Sequence, residues 1–331
     1  VLVHADLRWP PRTGIGVVQA ELLRRLPPDI EISDLGVKGR IGTPLSPLFL
    51  ARALSRRAGP REVFWSPGFV PPAWSRIPLV VTLHDLNHLH HYSSAHALYY
   101  ELVMKPLFRR CKAIICVSNF TRDELLNWSG ANPEKVFTVY NGVAFDTFAD
   151  GPKSQLGFPY VLYVGNRRRY KNIELLFRAF AATSLPREGF RLLLTGGPTT
   201  PLQTLAAQCN IQNNVHYAGN VSDEELAPLY RGARLLAFVS LYEGFGLPIL
   251  EAMAASVPVL TSNVAAMPEI AGGAALTVNP ASVTEVTDGL ERLCNDEDLR
   301  ANLIRAGRLR AASFDWNTAA EATWNIVRGA A

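Results

Sequence analysis

The chain has 331 residues and 48% apolar content, enough for two globular domains of ordinary size. No apolar run approaches the roughly 18–20 residues that cross a bilayer, and neither end carries a signal-peptide pattern, so no membrane span is expected. The formal net charge is +4, all of it within residues 1–150, which is too slight for a nucleic-acid-binding groove.

The opening stretch, Val1–Ala5, reads as a buried strand, so a few residues, the initiator Met among them, are expected to precede it. Arg12-Thr13-Gly14-Ile15-Gly16 leads into an amphipathic helix from Val17 to Leu26. Gly14 and Gly16 form a lone Gly-x-Gly. Gln19 stands where a dinucleotide fingerprint has its third glycine, which argues against a nicotinamide-dependent dehydrogenase. Glu62–Ser66 and Leu79–Leu83 read as further strands, the second ending at His84-Asp85. His88, His90, His91 and Tyr92 follow without an acidic or cysteine partner at ligand spacing, so a metal site is not expected. Ala113–Ser118 reads as a strand leading into the helix start Ser118-Asn119-Phe120-Thr121.

Part of the N-terminal charge excess lies in Arg52, Arg56, Arg57 and Arg61, and in Arg109, Arg110 and Lys112. Solvated helix faces account for it. So does attraction to anionic lipid headgroups or to a lipid diphosphate. Cys111, Cys116, Cys209 and Cys294 have no paired metal spacing and read as free thiols of a reducing cytoplasm.

Tyr140-Asn141-Gly142-Val143 reads as a strand end and turn, and the polar, Gly- and Pro-bearing stretch Asp146–Pro159 as a linker. This divides the chain into residues 1–150 and 151–315, with a closing helix in 316–331. After the linker the strand–helix alternation restarts with Tyr160–Gly165, Arg191–Thr195, Val215–Ala218, Arg234–Val239 and Val257–Ser262. These runs are short and β-branched without clean alternation, as parallel strands covered on both faces should be. The expected fold class is therefore α/β: two Rossmann-like doubly wound domains facing across a cleft at their strand C-terminal edges.

Four strand-to-loop junctions of the second half carry chemistry. Gly165-Asn166-Arg167-Arg168-Arg169-Tyr170-Lys171 places four cations after a strand, suited to a diphosphate or to an exposed basic turn. Leu194-Thr195-Gly196-Gly197-Pro198 is a second junction. In the third, Asn220 and Val221 offer main-chain groups to a base, and Ser222 or Asp223 caps a helix. The fourth is Glu243-Gly244-Phe245-Gly246-Leu247-Pro248-Ile249-Leu250-Glu251, with Pro248 in the first helical turn and Glu251 expected there too. Free N–H groups at a glycine-flanked helix start suit phosphate, and two carboxylates at such a place suit hydroxyl groups. Diphosphate plus hydroxyls describes a nucleotide sugar. Read alone, both glutamates also fit plain structural roles.

Together these junctions resemble the retaining glycosyltransferases of family 4, which have the GT-B fold, over almost the whole chain. The segment EGFGLPILEAMAASVPVL carries the closest likeness, matching that family's E-x7-E motif. The resemblance implies that Glu243 contacts the donor sugar and Glu251 the ribose. Gly244, Phe245, Gly246 and Leu247 would offer backbone N–H groups, and Lys171 would meet the diphosphate. The family's arginine after the strand glycine is Asn166 here, so Arg167 is expected to take its role, with Arg168 and Arg169 as alternatives.

The resemblance also places Gly14 and Gly16 over the donor and His84 at the transferred sugar. His88, His90, His91 and Tyr92 would lie on the acceptor side, and the closing helix would cross back to the N-terminal domain. It leans toward bacterial mannosyltransferases of surface-polysaccharide assembly. That implies GDP-mannose as donor, a saccharide or lipid-linked saccharide as acceptor, no cofactor or metal, and a cytoplasmic enzyme at the inner membrane face, with contact to anionic lipid. A UDP-sugar-dependent transferase, a nucleotide-sugar epimerase and a non-catalytic nucleotide- or glycan-binding module are the alternatives.

Overall fold

The structure, a computed structural model, describes residues 1–11, 13–39 and 41–331, with Asp223 described by its backbone alone. Arg12, part of the sequence's first glycine loop, lies outside the described residues. The chain divides into two compact units, Val1–Gly142 with Phe314–Ala331, and Val143–Ser313.

The first unit holds six strands: β1 (Leu2–Ala5), β2 (Glu31–Asp34), β3 (Glu62–Ser66), β4 (Leu79–Leu83), β5 (Ala113–Cys116) and β6 (Val136–Thr138). They pair in parallel in the order β2-β1-β3-β4-β5-β6. The second unit holds β7 (Tyr160–Tyr163), β8 (Arg191–Leu194), β9 (Val215–Tyr217), β10 (Leu235–Phe238), β11 (Val259–Ser262) and β12 (Leu276–Val278). These pair in parallel in the order β12-β11-β10-β7-β8-β9. In both sheets the chain runs outward to one edge, then returns to build the other side. The strand order therefore reverses between β1 and β3 and between β7 and β10, and ligands of doubly wound sheets bind outside such reversals.

The inner strands β4, β5, β7, β10 and β11 are buried along their whole length, and β1, β3 and β8 along all but their first residue. That is the run pattern the sequence displays. The four edge strands, β2, β6, β9 and β12, carry no such run, each with at least half of its residues short of full burial. With only one neighbour to pack against, an edge strand needs no continuous apolar stretch.

The linker reading of Asp146–Pro159 requires correction, and so does the division at residue 150. The second unit begins at Val143, and Phe145–Ala149 is a helix. Phe148 lies edge-on to Tyr230 at 5.4 Å, and Arg231 donates to the carbonyls of Thr147, Phe148 and Pro152. The polar composition hid one buried aromatic and a set of backbone acceptors.

The closing helix, Trp316–Ala330, belongs to the first unit and is capped by Asp315, which accepts from Thr318 N at 3.0 Å. Trp324 is fully buried, packs edge-on against Trp65 at 4.9 Å and donates its indole N–H to Leu22 O at 3.2 Å. Gly142 makes room for this helix, because a Cβ there would sit 2.4 Å from Trp316 N. Trp324→Ala should cost the first unit about 3–5 kcal/mol, by loss of a buried ring and the cavity left behind. Urea unfolding measures it, and a loss below about 1 kcal/mol would show that the helix is not part of that unit's core.

Candidate functional site

In the second unit, the loops after β7 and β10 meet across the strand-order reversal. The Gly165 amide donates to Thr195 Oγ1 at 3.3 Å, and Gly165 itself has φ +147°, where a side chain would be strained. A Cβ there would also come 3.3 Å from the Tyr163 hydroxyl. Asn166 accepts from Arg168 N at 3.1 Å, a local turn that orders the loop, and its carbonyl accepts from Tyr163 at 2.6 Å. A single 3₁₀ turn, Arg169–Lys171, follows. Asn172 then takes a left-handed conformation and donates to Val239 O and Pro280 O, tying this loop to the end of β10. Leu241 N donates to Tyr170 O at 2.7 Å and closes the second link between the two loops.

These ties bring Lys171 and Glu243 together. Nζ lies 2.6 Å from Oε1, with side-chain exposures of 10% and 14%. The ammonium also sits 5.2 Å and 5.4 Å from the rings of Phe238 and Tyr170, which face the cation with their electron-rich surfaces. A pair this far from water survives because each charge compensates the other, and removing one partner leaves an uncompensated buried charge.

Arg167 lies beside this pair. One guanidinium nitrogen donates to Thr195 O, and the group packs over Tyr163 at 5.6 Å. Its Nη1 is buried with no hydrogen-bond partner, and so is the hydroxyl of Tyr217 on β9. Burial pulls the Arg167 pKa down and pushes those of Tyr163 and Tyr217 up. A buried guanidinium with an empty donor is costly unless something else accepts from it. Arg168 and Arg169, the other candidates, are exposed.

Glu251 is not in the first turn of its helix, which runs Leu247–Ala254 from a left-handed Gly246. It stands one turn further along, where Tyr230 donates to its Oε2 at 2.6 Å. Tyr230 is fully buried, and burial with the adjacent carboxylate drives its hydroxyl pKa well above the ordinary value. No motif marks Tyr230, whose only sequence signal is its place on the apolar face of helix Asp223–Gly232. The turn Gly244-Phe245-Gly246 before Leu247 is buried. Asn220 is exposed and Val221 partly so. Ser222 caps the next helix with a reciprocal box to Glu225.

In the first unit the helix after β1 starts at Gly14 rather than Val17, because Thr13 caps it by accepting from Gly16 N at 3.0 Å. Gly16 is fixed by packing, since a Cβ would lie 1.9 Å from Pro10 O, whereas Gly14 faces open space. At the end of β1, the buried Asp6 holds Arg8 through two contacts of 2.6 and 2.9 Å. His84, after β4, donates Nε2–H to Pro67 O at 2.7 Å. Burial lowers its pKa to about 4, so the ring is neutral near pH 7 and Nδ1 is an acceptor.

His88, His90, His91 and Tyr92 are not all loop residues: Asn87–His90 is a short helix. His88 stacks on Tyr92 and Tyr100 and shares a 3.0 Å hydrogen bond with the Tyr100 hydroxyl, while His90 meets Glu124 at 2.5 Å. Among the described residues, no group of three or more His, Cys, Asp or Glu side chains is placed to hold a metal ion.

The family model for "Glycosyl transferases group 1" matches residues 145–310, and that for "Glycosyltransferase Family 4" matches residues 14–147. The chain is 29% identical to the O-antigen chain mannosyltransferase B of Escherichia coli, over 75% of this chain and 70% of that protein. It is 34% identical to the D-inositol 3-phosphate glycosyltransferase of Streptomyces avermitilis, over 63% of this chain but only half of that protein. Its fold superposes on sucrose-phosphate synthase from Thermosynechococcus elongatus with a TM-score of 0.79 at 18% identity, covering 99% of this chain and 98% of the other. The chain belongs to the group 1 and family 4 glycosyltransferases and has their GT-B fold.

Proposed function

We propose that the protein is a retaining hexosyltransferase that moves mannose from GDP-mannose to a saccharide acceptor, lipid-linked, in surface-polysaccharide assembly. The buried Lys171–Glu243 pair at the β7/β10 reversal carries this reading, with Glu251 held by Tyr230 on the helix that follows. The mannosyltransferase relative supports the choice of sugar and pathway. The relative that acts on D-inositol 3-phosphate favours a second reading, with a phosphorylated polyol as acceptor.

On this reading Lys171, the unpartnered Nη1 of Arg167 and the amides of the turn before Leu247 receive the diphosphate. They stabilise the charge that grows on it as the anomeric C–O bond breaks. Glu251 accepts from ribose hydroxyls and Glu243 from the sugar. The acceptor hydroxyl attacks C1 from the leaving-group side, forming the new C–O bond, and its proton passes to the departing phosphate oxygen. No protein base is then required, and the side-chain cations take the place of a divalent ion. In the first unit, neutral His84 has Nδ1 available as an acceptor. The enzyme would work in the cytoplasm at the inner membrane face, where a lipid-linked acceptor is presented.

Lys171→Ala should lower transfer about 10²-fold or more, since one lost donor to a developing oxyanion is worth about 3 kcal/mol. Steady-state assay with a melting-temperature control measures it, and wild-type rates would remove Lys171 from the diphosphate site. Tyr230→Phe should raise the donor dissociation constant about tenfold with little change in kcat, because a hydrogen bond to a charged group is worth about 1.5–3 kcal/mol. Unchanged donor affinity would assign Glu251 a structural role only.

The donor itself is tested by thermal stabilisation with GDP, UDP, ADP and their sugar conjugates. At about 100 times Kd a ligand adds about 2.7 kcal/mol of stability. A selective response to GDP-mannose is expected. A UDP response would replace the donor, free altered sugar nucleotide without acceptor would indicate an epimerase, and silence to every nucleotide would overturn the transferase reading.

A further inference from the structure

Tyr217 lies on the edge strand β9, paired with Leu194 of β8, and its ring packs on the core beneath the sheet. Its hydroxyl is buried and has no hydrogen-bond partner among the described residues. Packing does not account for that oxygen. A phenylalanine would fill the same space without taking a hydroxyl out of water, and a buried hydroxyl left unpaired is costly. The fold of the second unit therefore gives a reason for the ring but none for the hydroxyl.

The surroundings of the hydroxyl point to what it could meet. It feels the charge of Arg167, which works against the rise in pKa that burial causes. That guanidinium is held over Tyr163 and by the carbonyl of Thr195, at the junction that follows β8. The next residue, Gly196, is bridged to Gly219, two residues beyond Tyr217, and its amide donates to Gly219 O at 2.8 Å. Asn220 and Val221, the main-chain candidates for a base, follow directly. The backbone of Gly197 and of Gly219 borders open space. Tyr217 thus stands beside the junction whose main chain suits a base, and it brings a polar side chain there.

We propose that the Tyr217 hydroxyl reads the nucleobase of the donor by donating to an exocyclic carbonyl oxygen, as guanine carries at O6 and uracil at O4. A cation attracts the lone pairs of a neighbouring hydroxyl, so the Arg167 charge draws the oxygen toward itself and turns the proton away. A hydroxyl held in this way is a donor. It suits a base with a carbonyl oxygen and opposes one with an amino group in that place, as in adenine or cytosine. Arg167 orients the hydroxyl in this arrangement, and its Nη1 stays with the diphosphate. The inference rests on the donor reading above and adds to it the side chain that selects the base.

The test is calorimetric titration of wild type and Tyr217→Phe with matched nucleotides that have or lack the carbonyl. The pairs are GDP against 2-aminopurine riboside diphosphate and UDP against CDP, with pyrophosphate as the probe that has no base. In wild type the preferred carbonyl-bearing nucleotide should bind about tenfold more tightly than its counterpart, a difference that one hydrogen bond can make. Tyr217→Phe should erase that difference, leave pyrophosphate affinity unchanged and melt no lower than wild type. A wild type without the preference, or a variant that keeps it, would overturn the proposal. So would an equal loss for every nucleotide and for pyrophosphate, which would put the hydroxyl in the service of the diphosphate through Arg167. A lowered melting temperature with base preference intact would make the hydroxyl part of the fold. A wild type that binds none of these nucleotides would overturn the donor reading itself, an outcome distinct from the others.

Discussion

A largely buried lysine–glutamate pair, at the point where the strand order of the second sheet reverses, constrains much of what surrounds it. Lys171 and Glu243 come from loops 72 residues apart in sequence and meet at 2.6 Å. Such a pair is stable only while both loops hold their shape. The left-handed Asn172, its two carbonyl contacts and the Leu241–Tyr170 bond enforce that shape. The loops are therefore rigid where doubly wound sheets bind their ligands, which is what a site needs if it is not to reorganise during reaction.

Around this pair the unit leaves polar groups incompletely satisfied. Arg167 keeps one buried donor without an acceptor, and the Tyr217 hydroxyl is also unpartnered. Glu251, by contrast, is fixed by a tyrosine that gives up all contact with water to hold it. The cations Lys171 and Arg167 come from the loop after β7, and the carboxylates Glu243 and Glu251 from the loop after β10 and the helix that follows it. That division of labour matches the needs of a substrate with a charged diphosphate and neutral hydroxyls.

The two glycines of the N-terminal loop show how one motif can hide two causes. Gly16 is dictated by the Pro10 carbonyl that a side chain would strike, so its presence says nothing about a ligand. Gly14 has open space around it, so the chain's own packing does not require a missing side chain there. The same contrast separates Asp6, which is engaged by Arg8 inside the unit, from His84, whose single carbonyl contact leaves a ring nitrogen for another partner.

The sequence by itself determined the α/β class, the inner strands of both sheets and the loops that bear Lys171, Arg167, Glu243 and the glycine turn. Buried parallel strands and strand-to-helix junctions leave local signatures in apolar runs, glycines and prolines. It did not show the edge strands β2, β6 and β12, the helix inside the supposed linker, or the start of the first helix at Gly14. Those depend on one-sided packing and on single caps. Only the tertiary structure decided that Lys171 faces Glu243, that Tyr230 holds Glu251 a full turn inside its helix, and that the Tyr217 hydroxyl is buried within reach of the Arg167 charge. Each of these joins residues far apart in the chain, and no local pattern encodes a contact whose partners are brought together by the sheet.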